Sequence, residues 1–179
     1  MNIFQQLEIT HSKENSLKVI DYIGEDQQKF GELMDCFFMQ TKDYRVPQRA
    51  AHVVSLTFDK RPELLIPYIP KLIQELTRKT LRNSLKRNIL RILQFCEIDE
   101  KDRGIVYDRT FELMSNPQEE IAVRAFSMTV LYKISQFYPE LKPELKSAIL
   151  YVLEEPCSSP GVRSRGNNLL KKLNQEVSE

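Results

Sequence analysis

Four windows of the chain carry a base followed, four and seven residues later, by apolar side chains. Arg49 in VPQRAAHVVSL leads to Val53 and Leu56, Lys86 in SLKRNILRIL to Leu90 and Leu93, and Arg124 in AVRAFSMTVL to Met128 and Leu131. Arg163 in GVRSRGNNLL leads to Asn167 and Leu170, so only the last window breaks the apolar pattern, at Asn167. Positions i, i+4 and i+7 share one face of an α-helix, so each window predicts an amphipathic helix. The bases are 37, 38 and 39 residues apart, which makes the pattern a repeat.

The segments between the windows repeat as well. Pro62-Glu63-Leu64 and Pro139-Glu140-Leu141 lie 77 residues apart, about two periods. Proline is tolerated at a helix start, where its missing N–H would be unpaired anyway. Each is followed by a second apolar run, LLIPYIPKLIQEL and LKSAILYVL. The predicted unit is therefore a helix, a short turn, and a second helix carrying the base. First helices are expected over 25–40, 62–78, 100–115 and 139–154, and second helices over 44–59, 81–96, 118–136 and 159–175. Units fall near 25–60, 62–97, 99–137 and 139–175, behind a cap of residues 1–24 whose helical part is 3–23. Pro67 and Pro70 are expected to bend the second unit's first helix by removing backbone bonds. Helix pairs at a period in the high thirties predict an all-α chain, an α-solenoid in which stacking buries what one pair cannot. The polar last window, GNNLLKKLNQEVSE, suits a terminal unit with nothing stacked beyond it.

The sequence resembles HEAT repeats, within the wider armadillo-like group. Asn116-Pro117 followed by Val123-Arg124-Ala125 matches that family's turn and Val-Arg pair, Asp43 with Val46 and Arg49-Ala50-Ala51 matches in part, and Val162-Arg163 matches the dipeptide. Lys86 stands where the family has Arg, and no Asp precedes it. The resemblance spans residues 25–175 and implies a right-handed α-α superhelix of about four helix pairs with an N-terminal helical cap. It also implies a non-catalytic scaffold whose second helices line a concave face. A more distant resemblance is to the HEAT-like DNA alkylation repair glycosylases, which rely on Trp and an essential Asp. This chain has no Trp, so that likeness implies contact with a nucleic-acid backbone without glycosylase activity.

Composition and charge alter this picture in one place. The chain has 179 residues, enough for one domain with a substantial core, and is 41% hydrophobic and 28% charged. Net charge is +1, but residues 42–92 carry +8 against −4 for 1–41, −5 for 93–160 and +2 for the tail. The basic block holds Arg45, Arg49, Arg78, Lys79, Arg82, Lys86, Arg87 and Arg91. Arg82, Lys86 and Arg87 share a helical side that Arg91 continues, and such a face suits an acidic protein segment or, alternatively, phosphates. The structural alternative is a solvated helix face. Arg49, Lys86, Arg124 and Arg163 could form a binding ladder, or could hold units in register, with Asp43 as a natural partner for Arg49. Arg163-Ser164-Arg165-Gly166 could hold an anion on free N–H groups at a helix start, or be a helix start capped by Ser158 or Ser159.

The remaining chemistry is sparse. Cys36, Cys96 and Cys157 are far apart and odd in number, which suits free thiols in a reducing cytoplasm. With His11 and His52 they show no metal spacing, so neither metal nor cofactor is expected. His52 and Ser55 alone do not make a nucleophile. The acids Asp99, Glu100, Asp102, Glu119, Glu120, Glu154 and Glu155 fall at predicted helix ends, where those near Asp99 and Glu119 suit the positive end of the helix dipole. The tyrosines are spread through the helices as packing residues. There is no Gly-rich phosphate loop, GxSxG, HExxH or CxxC, so catalysis is not indicated. No apolar run of about 18 residues predicts a membrane span, and the N-terminus lacks a signal peptide's basic start.

Overall fold

The computed structural model describes residues 1–156 and 158–176, and among these the chain is all-α. In order the helices are α1 (Ile3–Ile9), α2 (Lys13–Ile23), α3 (Gln27–Phe38), α4 (Arg45–Lys60), α5 (Ile69–Leu76), α6 (Asn83–Leu93), α7 (Glu100–Ser115), α8 (Ile121–Ser135), α9 (Lys142–Glu154) and α10 (Pro160–Glu176). The chain divides into two compact units, residues 1–72 and 73–179.

In the first unit, the segment expected as a helical cap consists of two helices, α1 and α2. Asn2 and Ser12 accept from the backbone N–H of Gln5 and Asn15, so α1 and α2 each start on a side-chain cap. The buried Asn15 amide donates to the carbonyls of Gln6 and Thr10, fixing the turn between them. Gly24, at φ 57°, ends α2 in the left-handed region that a side chain would strain. Asp26 then caps α3 through the N–H groups of Gln28 and Lys29. The core is built from Ile3, Leu7, Ile20, Phe30, Leu33, Phe37, Val53 and Val54. Here α4 packs against α1, α2 and α3.

The helix expected over 62–78 is not a bent helix. Pro62–Leu64 and Ile66–Tyr68 are single 3-10 turns, and only Ile69–Leu76 is α-helical. Pro67 and Pro70 each withhold an N–H that a continuous helix needs, and two such losses within four residues break the ladder instead of kinking it. Pro70 is accommodated in the first turn of α5, where that N–H is unused.

The second unit stacks helix pairs. α8 packs on α7, α6, α9 and α10, and α10 packs on α9. The apolar stripe positions Leu90, Leu93, Met128 and Leu131 are buried, whereas Asn167 is exposed and Leu170 half-buried. α10 approaches α9 closely at Gly166, where an added Cβ would lie 2.8 Å from Leu153 Cδ2 and 3.2 Å from Ile149 Cγ2. Ser159 accepts from the N–H of Val162 and caps α10.

Candidate functional site

The recurring bases mostly spend their charge inside the fold. On α4, Arg49 Nη1 donates to the carbonyls of Leu7 (2.6 Å) and Glu8 (3.0 Å). These carbonyls lie in the last turn of α1, where no intrahelical donor reaches them and the dipole favours a cation. On α6, Lys86 Nζ donates to Glu119 Oε1 at 2.5 Å, with side chains only 8% and 10% exposed. On α8, Arg124 Nε donates to the Met114 carbonyl (2.9 Å), while its Nη2 takes both oxygens of Glu155 (2.9 and 2.8 Å). Lys86 and Arg124 therefore reach forward to an acid in the turn that leads into the next unit's second helix. The Arg163 side chain is exposed and makes no hydrogen bond or ion pair with the described residues.

Two acids have partners other than those expected. Asp43 does not pair with Arg49. It takes Arg45, with Nη2 at 2.5 Å and Nε at 3.0 Å, and also accepts from the Arg45 backbone N–H. Asp43 lies just outside α4, within two residues of Arg45, while Arg49 is a turn further in and directed at α1. The Arg45 hydrogen bond holds the Asp43 carboxyl down at about 2. Glu119 lies just ahead of α8, near the dipole position expected, but its carboxylate is buried against Lys86. It ties α6 to the turn that leads into α8.

A second set of bases lies nearer the surface. On α6, Arg82 and Arg87 are exposed and Arg91 is half-buried. Arg87, Arg91 and Gln94 fall on one stripe of that helix. Gln94 Oε1 accepts from Arg165 Nη1 of α10 at 2.9 Å, and the same Nη1 donates to Thr129 Oγ1 of α8 at 2.5 Å. The Arg165 guanidinium also lies 5.9 Å from the Phe126 ring centre. One side chain thus joins three helices across the face they share. Arg165 does not serve at a free helix start, because α10 begins at Pro160 and the Arg163 N–H already donates to the Ser159 carbonyl (2.9 Å). Arg78 pairs with Glu75 at 2.7 Å and Lys79 is exposed.

Several other titratable groups are engaged within the fold. Lys133 Nζ donates to the carbonyls of Leu93 and Cys96 at the end of α6, and burial pulls its ammonium below the ordinary lysine range. It lines a cleft of about 430 Å³ with Ile98, Arg103 and Phe137. The Arg103 guanidinium stacks there at 3.7 Å from the Phe137 ring centre. An amine bound to two carbonyls at a helix end serves the helix and is not poised as a nucleophile. Cys36 and Cys96 are free thiols, each pushed up to about 11 chiefly by burial, which leaves little thiolate at neutral pH. Cys157 lies outside the described residues. His11 and His52 meet edge to face, with ring centres 5.5 Å apart. Among the described residues no group of three or more His, Cys, Asp or Glu could hold a metal ion, and no helix is long and apolar enough to cross a membrane.

Sequence spacing could have located the acids of the ion pairs. Glu119 and Glu155 follow Lys86 and Arg124 by 33 and 31 residues, each in the turn before the next second helix. Arg165 gives no such signal, since its partner Gln94 is 71 residues away.

No curated protein matches this chain. The HEAT repeat domain family matches residues 3–173, almost the whole length. With helix pairs stacked and bases tying successive helices of the second unit, the chain belongs to the HEAT repeat family.

Proposed function

We propose that this chain is a non-catalytic scaffold that presents a locally basic surface to an acidic segment of a protein partner. HEAT repeats are commonly protein-interaction scaffolds. The observation that carries the finer reading is the division of labour among the bases. Lys86 and Arg124 are consumed by partly buried acids, while Arg87 and Arg163 keep their charge in solvent on the equivalent helices α6 and α10. Register does not require the exposed set, so a partner is the use left for it. In the second unit the candidate surface comprises Arg82, Arg87, Arg91, Arg163 and Arg165; Arg45, in the first unit, is a separate candidate. The repeat boundaries 25–60, 62–97, 99–137 and 139–175 behind a cap of 1–24, forming one domain, belong to the same reading.

The test is fluorescence anisotropy with a labelled acidic peptide, a labelled duplex and a labelled single strand, at low and moderate salt. Peptide binding that weakens at least tenfold in Arg87→Glu/Arg91→Glu supports the scaffold. A preference for duplex, with a log–log salt slope near about −3.6 for ~4 phosphates contacted, would replace it with nucleic-acid backbone binding. No binding of any probe at low salt would remove the basic surface from the account.

A further inference from the structure

We infer that Arg165 is a preformed seat for a carboxylate, placed where α6, α8 and α10 share a face, and that it receives an Asp or Glu side chain of the acidic partner. This rests on the scaffold reading above and adds to it a specific contact.

Arg124, buried, and Arg165, half-buried, use their donors differently. A guanidinium carries five N–H groups in a rigid fork, and the Nε/Nη2 edge matches the two oxygens of a carboxylate. In Arg124 the fork is filled, with Nε on the Met114 carbonyl and Nη2 on Glu155. In Arg165 only Nη1 is used, and both of its acceptors, Gln94 and Thr129, are neutral. The Nε and Nη2 donors make no hydrogen bond with the described residues, and no carboxylate pairs with the charge. The side chain is nevertheless half-buried and tethered from two neighbouring helices, so much of the ordering entropy that binding would cost has already been spent in folding. The Phe126 ring beside it lowers the local polarity, which strengthens a charge-assisted bond.

The surroundings favour a carboxylate over a polyanion. Residues 73–179 carry a net charge of only +2, so this unit has no broad positive field. Its exposed or half-buried bases near the seat are aligned instead: Arg87 and Arg91 lead along α6 to Gln94, the residue that holds Arg165. From Arg87 to Gln94 the helix advances about 10 Å, the span of about three residues of extended peptide. An extended segment with acids three or four residues apart would therefore reach Arg165 with one and Arg87 with the next. The neutral identity of Gln94 matters, because Glu at this position would fill the fork from within.

The experiment uses the full chain and a fluorescein-labelled peptide of alternating Glu and Ser, with the Gln-Ser peptide as control. Arg165→Gln should weaken the Glu-Ser peptide about tenfold or more, as expected for losing a bidentate charge-assisted contact. Arg165→Lys, which keeps the charge and loses the fork, should weaken it severalfold. Gln94→Glu should weaken it as much as Arg165→Gln while preserving or raising the melting temperature, which separates the seat from a folding defect. Lys171→Gln, removing an exposed charge elsewhere on α10, should stay within twofold. If Arg165→Lys and Gln94→Glu both bind as wild type does, the seat is wrong and the scaffold reading survives. If wild type binds neither peptide, the scaffold reading falls first and the seat with it. If Arg165→Gln weakens a duplex probe and not the peptide, the occupant is a phosphate and the carboxylate assignment is overturned.

Discussion

Replacing Arg124 by Met tests how far the second unit depends on a single guanidinium. Arg124 Nε donates to the carbonyl of Met114 at the end of α7, and its Nη2 grips Glu155 in the turn before α10. The arginine side chain is 6% exposed and that of Glu155 18%. Breaking a buried pair by removing one partner costs about 3–5 kcal/mol, because the other charge is left without compensation. Glu155 keeps some access to water, which places the expected loss near the lower end, about 3 kcal/mol. For a chain of 179 residues a loss of that size lowers the melting temperature by about 6–12 °C. Glu155→Gln retains an acceptor and loses the charge, so about 1–1.5 kcal/mol is expected from a charge-assisted bond made neutral. The two substitutions share one interaction, so the double variant should be more stable than the sum by about 1 kcal/mol. Urea unfolding followed by circular dichroism measures all three. Burial also predicts little response to salt, whereas the solvent-exposed Asp43–Arg45 pair should contribute almost nothing at moderate salt. A loss under about 1 kcal/mol for Arg124→Met, or a coupling of zero, would refute the claim that this residue ties successive helix pairs of the second unit together.

Three further outcomes follow from the same geometry. Lys86→Met alone should cost about 3 kcal/mol by stranding the buried Glu119, and Lys86→Met/Glu119→Leu should recover most of it; failure to recover would argue against the desolvation account. Gly166→Ala places a Cβ 2.8 Å from a flexible Leu153 terminus and 3.2 Å from Ile149, so about 1–2 kcal/mol should be lost, and adding Leu153→Ala should relieve the overlap. Burial, with Glu144 and Glu176 beside them, pushes the Tyr107 and Tyr132 phenols up to about 12. Between an ordinary tyrosine pKa of about 10 and that value the folded state holds protons that the unfolded state has released, so their stabilisation is complete below pH ~10 and is lost as pH rises through ~12. Lys133, held below its ordinary range, works in the opposite direction and offsets part of this. Melting temperatures from pH 9 to 12 should fall more steeply for wild type than for Tyr107→Phe/Tyr132→Phe, and identical slopes would rule the explanation out.

The repeat was legible because it is written in local physics. Apolar positions four and seven residues beyond each base mark one helix face whatever surrounds it, and Val53, Leu90, Met128, Leu93 and Leu131 are buried. Helix-start signals were local too: Ser159 caps α10 within three residues. Pro67 and Pro70 were read correctly as a disturbance but not in degree, because whether two missing donors bend or break a helix depends on what packing repairs the gap. The partners of the bases were less legible still. Asp43 lay close enough to Arg49 in sequence to suggest a pair, yet Arg45 was nearer and Arg49 found the end of α1. The same alphabet of Arg, Lys and Glu serves a buried tie and an exposed binding face, and sequence spacing does not separate them. By itself the sequence determined the helices, their pairing period and the HEAT character, because those follow from periodicity within a few turns. Tertiary structure alone decided which bases are spent and which remain: Lys86 and Arg124 meet acids about 30 residues away, while Arg165 meets no carboxylate among the described residues and hydrogen-bonds the neutral Gln94 and Thr129, and distance in space rather than in sequence sets whether a charge is compensated.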